Sequence, residues 1–276
     1  MGLTDAIARF ADPYDRQARL YPALLAVSPL TLATFVVFAP HLSLLGSTAA
    51  AVAGCGLLYW LAGLARDRGK QLESALFTEW GGKPSIQLLR HRNRVIDKVT
   101  KARLHGLLAS RLGVSFPSPE EEEHEPDRAD ELYASASRWL LEQTPATSRH
   151  PLLSAENATY GFRRNMLGMR GIGLAMAALA SGWIVIDGSS LLSAEPGAIV
   201  DQLRMLPPAH RIVLVACMVL AGLWIWGVSA GRVKVAAFAY AERLVSACEA
   251  IGPTGQPPAT SANSRSSPSP ANSRAE

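Results

Sequence analysis

Leu44-Leu-Gly-Ser-Thr-Ala-Ala-Ala-Val-Ala-Gly-Cys-Gly-Leu-Leu-Tyr-Trp-Leu-Ala-Gly-Leu-Ala65 is a run of 22 residues without one charged side chain. As a helix it covers about 30 Å, the thickness of a bilayer's hydrocarbon core. A water-soluble domain has no use for such a run. It is preceded by a second uncharged stretch from residue 21, and another pair follows at 171–186 and 212–230. The chain therefore reads as an all-α membrane protein with four spans in two transmembrane hairpins, 21–65 and 171–230. A helical domain at 66–170 is inserted between spans two and three.

The averages conceal this. Mean hydropathy is only +0.12 because apolar spans are pooled with a charged insert and a polar tail. Of the 27 Lys and Arg residues, all but Arg204 and Arg211 lie in the N-terminal segment, the insert or the part after residue 230. Such an excess marks the cytoplasmic face. The expectation is a bacterial inner (plasma) membrane with both termini and the insert cytoplasmic, and with 187–211 as an external loop. No cleavable signal peptide is expected, since the first apolar stretch is long enough to stay as an anchor.

Along the chain, 1–20 reads as a cytoplasmic segment at the inner surface, with Pro22 in the first turn of span one and Pro29 kinking it. The turn at 40–43 is short, so spans one and two form a hairpin. The helix of span two is expected to run on to Trp80, where Gly81-Gly82 stops it and Lys83-Pro84 starts another. Residues 86–112 read as one basic helix and 114–126 as a solvated linker carrying the acidic block Glu120–Glu123. A further helix is expected at 127–144, then one running from 152 into span three. Residues 231–252 form a cytoplasmic helix, and 253–276, rich in Pro and Ser, a disordered tail. The three cysteines have no metal-ligand spacing and read as small buried hydrophobes.

The densest chemistry lies in Glu156-Asn-Ala-Thr-Tyr-Gly-Phe-Arg-Arg-Asn-Met-Leu-Gly168, just below span three. Asn157, Tyr160, Arg163, Arg164 and Asn165 offer planar donors suited to phosphate or carboxylate. With Lys83, Arg90 and Arg92 from the Trp80-Gly-Gly-Lys-Pro84 turn and its successor, they would line a basic ligand-binding pocket. The other reading is structural: arginines at an inner boundary orient the helix and attract lipid headgroups. Asp187, at the end of span three, is a candidate for a membrane pathway, or simply a helix terminus.

Other classes are poorly served. The Gly-Gly-Lys turn lacks the hydroxyl residue of a phosphate-binding loop, and no nucleophile elbow or dinucleotide turn appears. No catalytic, metal or cofactor constellation is found, and nucleic acid is disfavoured because aromatic interleaving is absent near the basic helix. The pattern of two spans, Trp-Gly-Gly-Lys-Pro, a basic helix, Glu-Asn-x-x-Tyr-Gly-Phe-Arg-Arg-Asn and two further spans resembles a group of uncharacterised bacterial inner-membrane proteins. That resemblance implies the architecture and carries no activity. The functional expectation is a homo-oligomeric membrane effector or ion channel whose cytoplasmic domain senses an anionic ligand such as a nucleotide. The alternative is a membrane-anchored scaffold docking a cytoplasmic protein partner.

Overall fold

The computed structural model describes residues 12–38, 44–145, 150–188 and 203–251, with side chains in the second helix described from Gly54 onward. The expected turn at 40–43, the tail at 253–276, the segment 1–11 and most of the loop 187–211 lie outside the described residues. Every described element is helical. We number them α1 (Pro13–Phe38), α2 (Leu44–Glu79), α3 (Pro84–Leu89), α4 (Lys98–Leu112), α5 (Pro119–His124), α6 (Pro126–Gln143), α7 (Pro151–Gly188), α8 (Pro208–Gly227) and α9 (Ala230–Ser246).

Three of these, α1, α7 and α8, are long and apolar enough to cross a membrane. Their outward faces carry large apolar side chains: Phe35, Leu179, Ile212, Met218 and Trp226 are all exposed. Water would penalise such a surface and lipid would not. The remaining apolar run belongs to α2, which covers Leu44–Glu79 without a break.

The 38 residues of α7 form a spine roughly 57 Å long. It packs against α1, α2, α8 and α9 and threads four buried clusters in turn. Ala180 and Ile184 meet Ala33, Val213 and Cys217. Met169 meets Ala23, Ala26, Leu61 and Trp224. Tyr160 meets Leu76, Trp80 and Val233. Leu153 joins the lobe core of Leu88, Leu104, Tyr133, Leu140 and Leu244. Glycine makes the close approaches. A Cβ on Gly168 would fall 2.7 Å from the backbone nitrogen of Gly69, and one on Gly173 would fall 2.2 Å from the Trp224 ring.

Gly81 and Gly82 end α2 as expected. Both have positive φ (82° and 123°), and Gly82 N–H reaches back to Phe77 O at 2.7 Å, so the last carbonyls are satisfied. Pro84 then opens α3.

Four sequence expectations need correction. First, α1 starts at Pro13, capped by Asp12, so of the segment expected to be amphipathic or irregular, 13–20 is helix continuous with the apolar part of α1, and Pro22 lies inside that helix and not in its first turn. Arg16–Leu20 is a π-helical turn. The donor that α-helical geometry would give Ala18 O is residue 22, a proline, and Asn165 Nδ2 donates there instead at 2.7 Å. In the same way Ser28 Oγ donates to Leu25 O (3.0 Å), the carbonyl that Pro29 leaves without its helical donor. Second, the basic helix at 86–112 is broken: α3 ends at Leu89 and α4 begins at Lys98 behind the N-cap Asp97, whose carboxylate accepts from Thr100 N–H (2.9 Å). Third, the acidic block is the helix α5, with a Ser118–Glu121 capping box, and Glu122 is buried. Fourth, Cys55 is exposed, whereas Cys217 and Cys248 are buried.

Replacing Gly168 with Leu places atoms where the α2 backbone stands. We expect loss of the folded protein in detergent, read as a collapse of the thermal transition and of monodispersity, whereas Gly171→Ala, which meets open space, leaves both intact.

Candidate functional site

The Glu156–Gly168 motif sits on α7 where the apolar half of the helix gives way to the polar lobe. Helical geometry divides its residues between faces, because neighbours in sequence do not face the same way. Tyr160, Gly161, Arg164, Asn165 and Gly168 turn towards α1 and α2. Arg163 turns towards α8 and α9.

On the inner face the central group is the Glu73 carboxylate of α2. It accepts from Tyr160 Oη (2.6 Å) and from Arg164 Nη1 (2.9 Å), both at the same oxygen. Arg164 Nε also donates to Asn165 Oδ1 (3.3 Å), and its guanidinium lies 5.4 Å from the centroid of the Tyr160 ring. Tyr160 stacks on Tyr240 with an interplanar angle of 4°. Arg164 is 7% exposed and Asn165 1%. A cation so placed is costly unless paired, and Glu73 pairs it. Gly69 and Gly161 open the space: a Cβ on Gly69 would stand 2.1 Å from Asn165 Oδ1, and one on Gly161 3.0 Å from Ala18 Cβ. Arg164 and Asn165 are therefore internal struts.

On the opposite face, Arg163 Nη1 donates to Arg232 O (3.1 Å). Arg170, two turns further along α7, donates to Ile225 O (3.2 Å), and Arg232 to Gly227 O (2.9 Å). Arg170 and Arg232 thus cap the last carbonyls of α8, the negative end of that helix, whereas Arg163 binds a carbonyl in the first turn of α9.

The residues expected to complete a basic pocket lie elsewhere. Arg90 forms a two-bonded pair with Asp130 of α6 (Nε to Oδ1 2.7 Å, Nη2 to Oδ2 2.5 Å) and donates to Gly81 O (2.9 Å). Lys83 and Arg92 are exposed and Asn157 half-buried, with no part in the Arg164 network. The two motifs do meet, but through Trp80 and Tyr160 in an apolar cluster and not through a shared anion site. Asp187 accepts from His210 Nε2 (3.0 Å), which ties the end of α7 to the first turn of α8.

The lobe holds a polar knot that sequence reading missed. Glu122 accepts from Tyr133 Oη (2.8 Å), His91 N (2.7 Å) and Arg92 N (3.4 Å). His105 Nε2 donates to Leu89 O (2.8 Å), and the Lys101 ammonium donates to Arg90 O (2.6 Å) and Asn93 O. These bonds satisfy the carbonyls at the end of α3 and hold the segment between α3 and α4. Burial pushes the Glu122 carboxyl up, but the His91 amide, the Tyr133 hydroxyl and the Arg92 amide outweigh it and hold it below the ordinary range. Burial pulls His105 below its ordinary value, against the opposing Leu89 carbonyl. A Glu four residues before a Pro-initiated helix, with a Tyr two turns into that helix, was the available signal.

Two outcomes follow. Glu73→Gln leaves Arg164 without its counter-charge and weakens a bond to Tyr160, so the protein loses about 2–3 kcal/mol, with Tyr160→Phe losing about 1 kcal/mol. Thermal melting of both variants in one detergent measures this. For pH, both depressed groups act with the same sign. His105 favours folding while it stays neutral, so stability falls as pH drops below the unfolded imidazole value of about 6.5. Glu122 adds a further loss below the unfolded carboxyl value of about 4.3. Melting temperature against pH should decline in two stages, and His105→Gln should flatten the first alone.

The chain matches no family model, and the comparisons with curated proteins and with solved structures find no match. The functional reading therefore rests on its own geometry.

Proposed function

We propose that this chain is a four-span protein of a bacterial inner membrane, with the lobe and both termini cytoplasmic, and that it works as a membrane effector driven through the lobe. The observation that carries this reading is the continuity of α2 and α7. Each runs unbroken from an apolar stretch into the lobe, and the two are joined at their crossing by Glu73, Tyr160 and Arg164. Displacing the lobe must then tilt both helices together, because a buried ion pair and two glycine contacts leave no slack between them. The trigger is an anionic small molecule, a nucleotide being the first candidate, and the exposed cations available to it are Lys83 and Arg92. The apolar outward faces of the spans supply no polar lining, so a pore requires several copies.

A second reading has one observation in its favour. Arg164 is buried and already paired with Glu73 and Asn165, which sets it apart from an open ligand cation. A lobe without an anion site is a scaffold that docks a cytoplasmic protein.

Reconstitution into liposomes separates the two. The effector passes ions, the flux responds to a panel of nucleotides, and Lys83→Ala/Arg92→Ala removes the response without altering insertion. Liposomes that stay tight under every nucleotide reject the effector and leave the scaffold. A reporter fused at residue 120 that is active only in the periplasm overturns both.

A further inference from the structure

Arg163 and Arg232 meet at the junction of α8 and α9, with Arg170 bound to the last turn of α8 nearby, and each spends a donor on a backbone carbonyl. Among the described residues none of the three has a carboxylate partner. This contrasts with Arg164, Arg90, Arg103 and Arg128, which all have one. Guanidinium groups gathered without an acid repel one another, and that repulsion is relieved by an anion placed between them.

The surroundings say what kind of anion. Arg163, Arg232, Phe162 and Ser229 line a notch of about 160 Å³ at the junction of α8 and α9. The notch shares Gly227 and Arg232 with a shallow groove that continues up the outer face of α8. The walls of the groove are Val215, Met218, Val219, Leu223 and Trp226, every one of them exposed. Cations at one end and a purely apolar channel along a span match the two halves of a phospholipid. A free nucleotide would gain nothing from the channel.

We propose that this face is a seat for one anionic phospholipid of the inner leaflet. Its phosphodiester lies against Arg163 and Arg232, and an acyl chain follows the groove past Trp226. Bidentate guanidinium contacts suit the phosphodiester oxygens. The proposal rests on α8 crossing the bilayer and is independent of whether the lobe drives a pore.

The test uses the full chain in a mild detergent, titrated with phosphatidylglycerol or with phosphatidylcholine of the same chains, and bound lipid is counted by native mass spectrometry. Phosphatidylglycerol is expected to bind at one site and in preference to phosphatidylcholine. Arg163→Gln/Arg232→Gln should weaken it by roughly tenfold to thirtyfold while helical content is retained. Brominated acyl chains should quench tryptophan emission, with less quenching in Trp226→Phe. Should the double variant misfold, Val219→Trp fills the groove without touching a charge and must also weaken binding. Equal binding of the two lipids, or unchanged phosphatidylglycerol affinity in the charge or groove variant, overturns the proposal. Displacement of the lipid by millimolar inorganic phosphate or ATP also overturns it, because the site would then belong to a soluble phosphate compound.

Discussion

The contact of α2 with α7 at Gly69 and Gly168 governs the rest of the molecule. At this crossing two backbones touch, Asn165 fills the space beside Gly69, and Arg164 is buried against Glu73. Apolar burial alone cannot hold helices together in lipid, where the solvent is as apolar as the side chains. Close backbone packing and buried polar bonds do that work, and here both occur within one turn of the same helix. The same asparagine reaches Ala18 O in α1, so three helices are fixed by one side chain.

The lobe solves a different problem. It lies beside water, and its core is ordinary: Leu88, Leu89, Leu104, Leu108, Leu140 and Leu244 around Tyr133. What needs explaining is the break between α3 and α4, which leaves backbone donors and acceptors with no helical partner. Glu122 takes two of those amides and Lys101 two of the carbonyls, so a carboxylate and an ammonium close the gap from opposite sides. Two charges are retained inside the lobe because the chain must turn there.

Much of this was legible in the residue order. The apolar runs, the stop at Gly81-Gly82, the continuation of α2 to Glu79 and the single helix from 151 into span three all follow from length and turn chemistry. Three features escaped for physical reasons. A proline inside α1 reads as a start signal unless the partner of the freed carbonyl is known, and that partner is 147 positions away in sequence. Asp97 caps a new helix in the middle of a basic stretch whose apolar spacing survives the break. An acidic block reads as solvated, since the spacing of Glu122 to Pro126 and Tyr133 gains its meaning only once α5 and α6 fold against each other.

The arginine pair shows how periodicity divides what composition lumps together. Two adjacent arginines count as one dense positive patch only if the backbone lets them point together. On a helix they diverge by about 100°, so they serve different neighbours. The spacing Gly161, Asn165, Gly168 marks a face that must be small and polar to meet another backbone, and Arg164 belongs to that side. Arg163 and Arg170, two turns apart, mark the other side, where Arg163 meets Arg232 and Arg170 meets Ile225. Arg164 is thus buried in the contact of α7 with α2, its guanidinium committed to Glu73 and Asn165. Arg163 spends one donor on Arg232 O of α9 and keeps donors to spare. Within this motif, the guanidinium not closed in by a carboxylate is therefore the one on the α8 side.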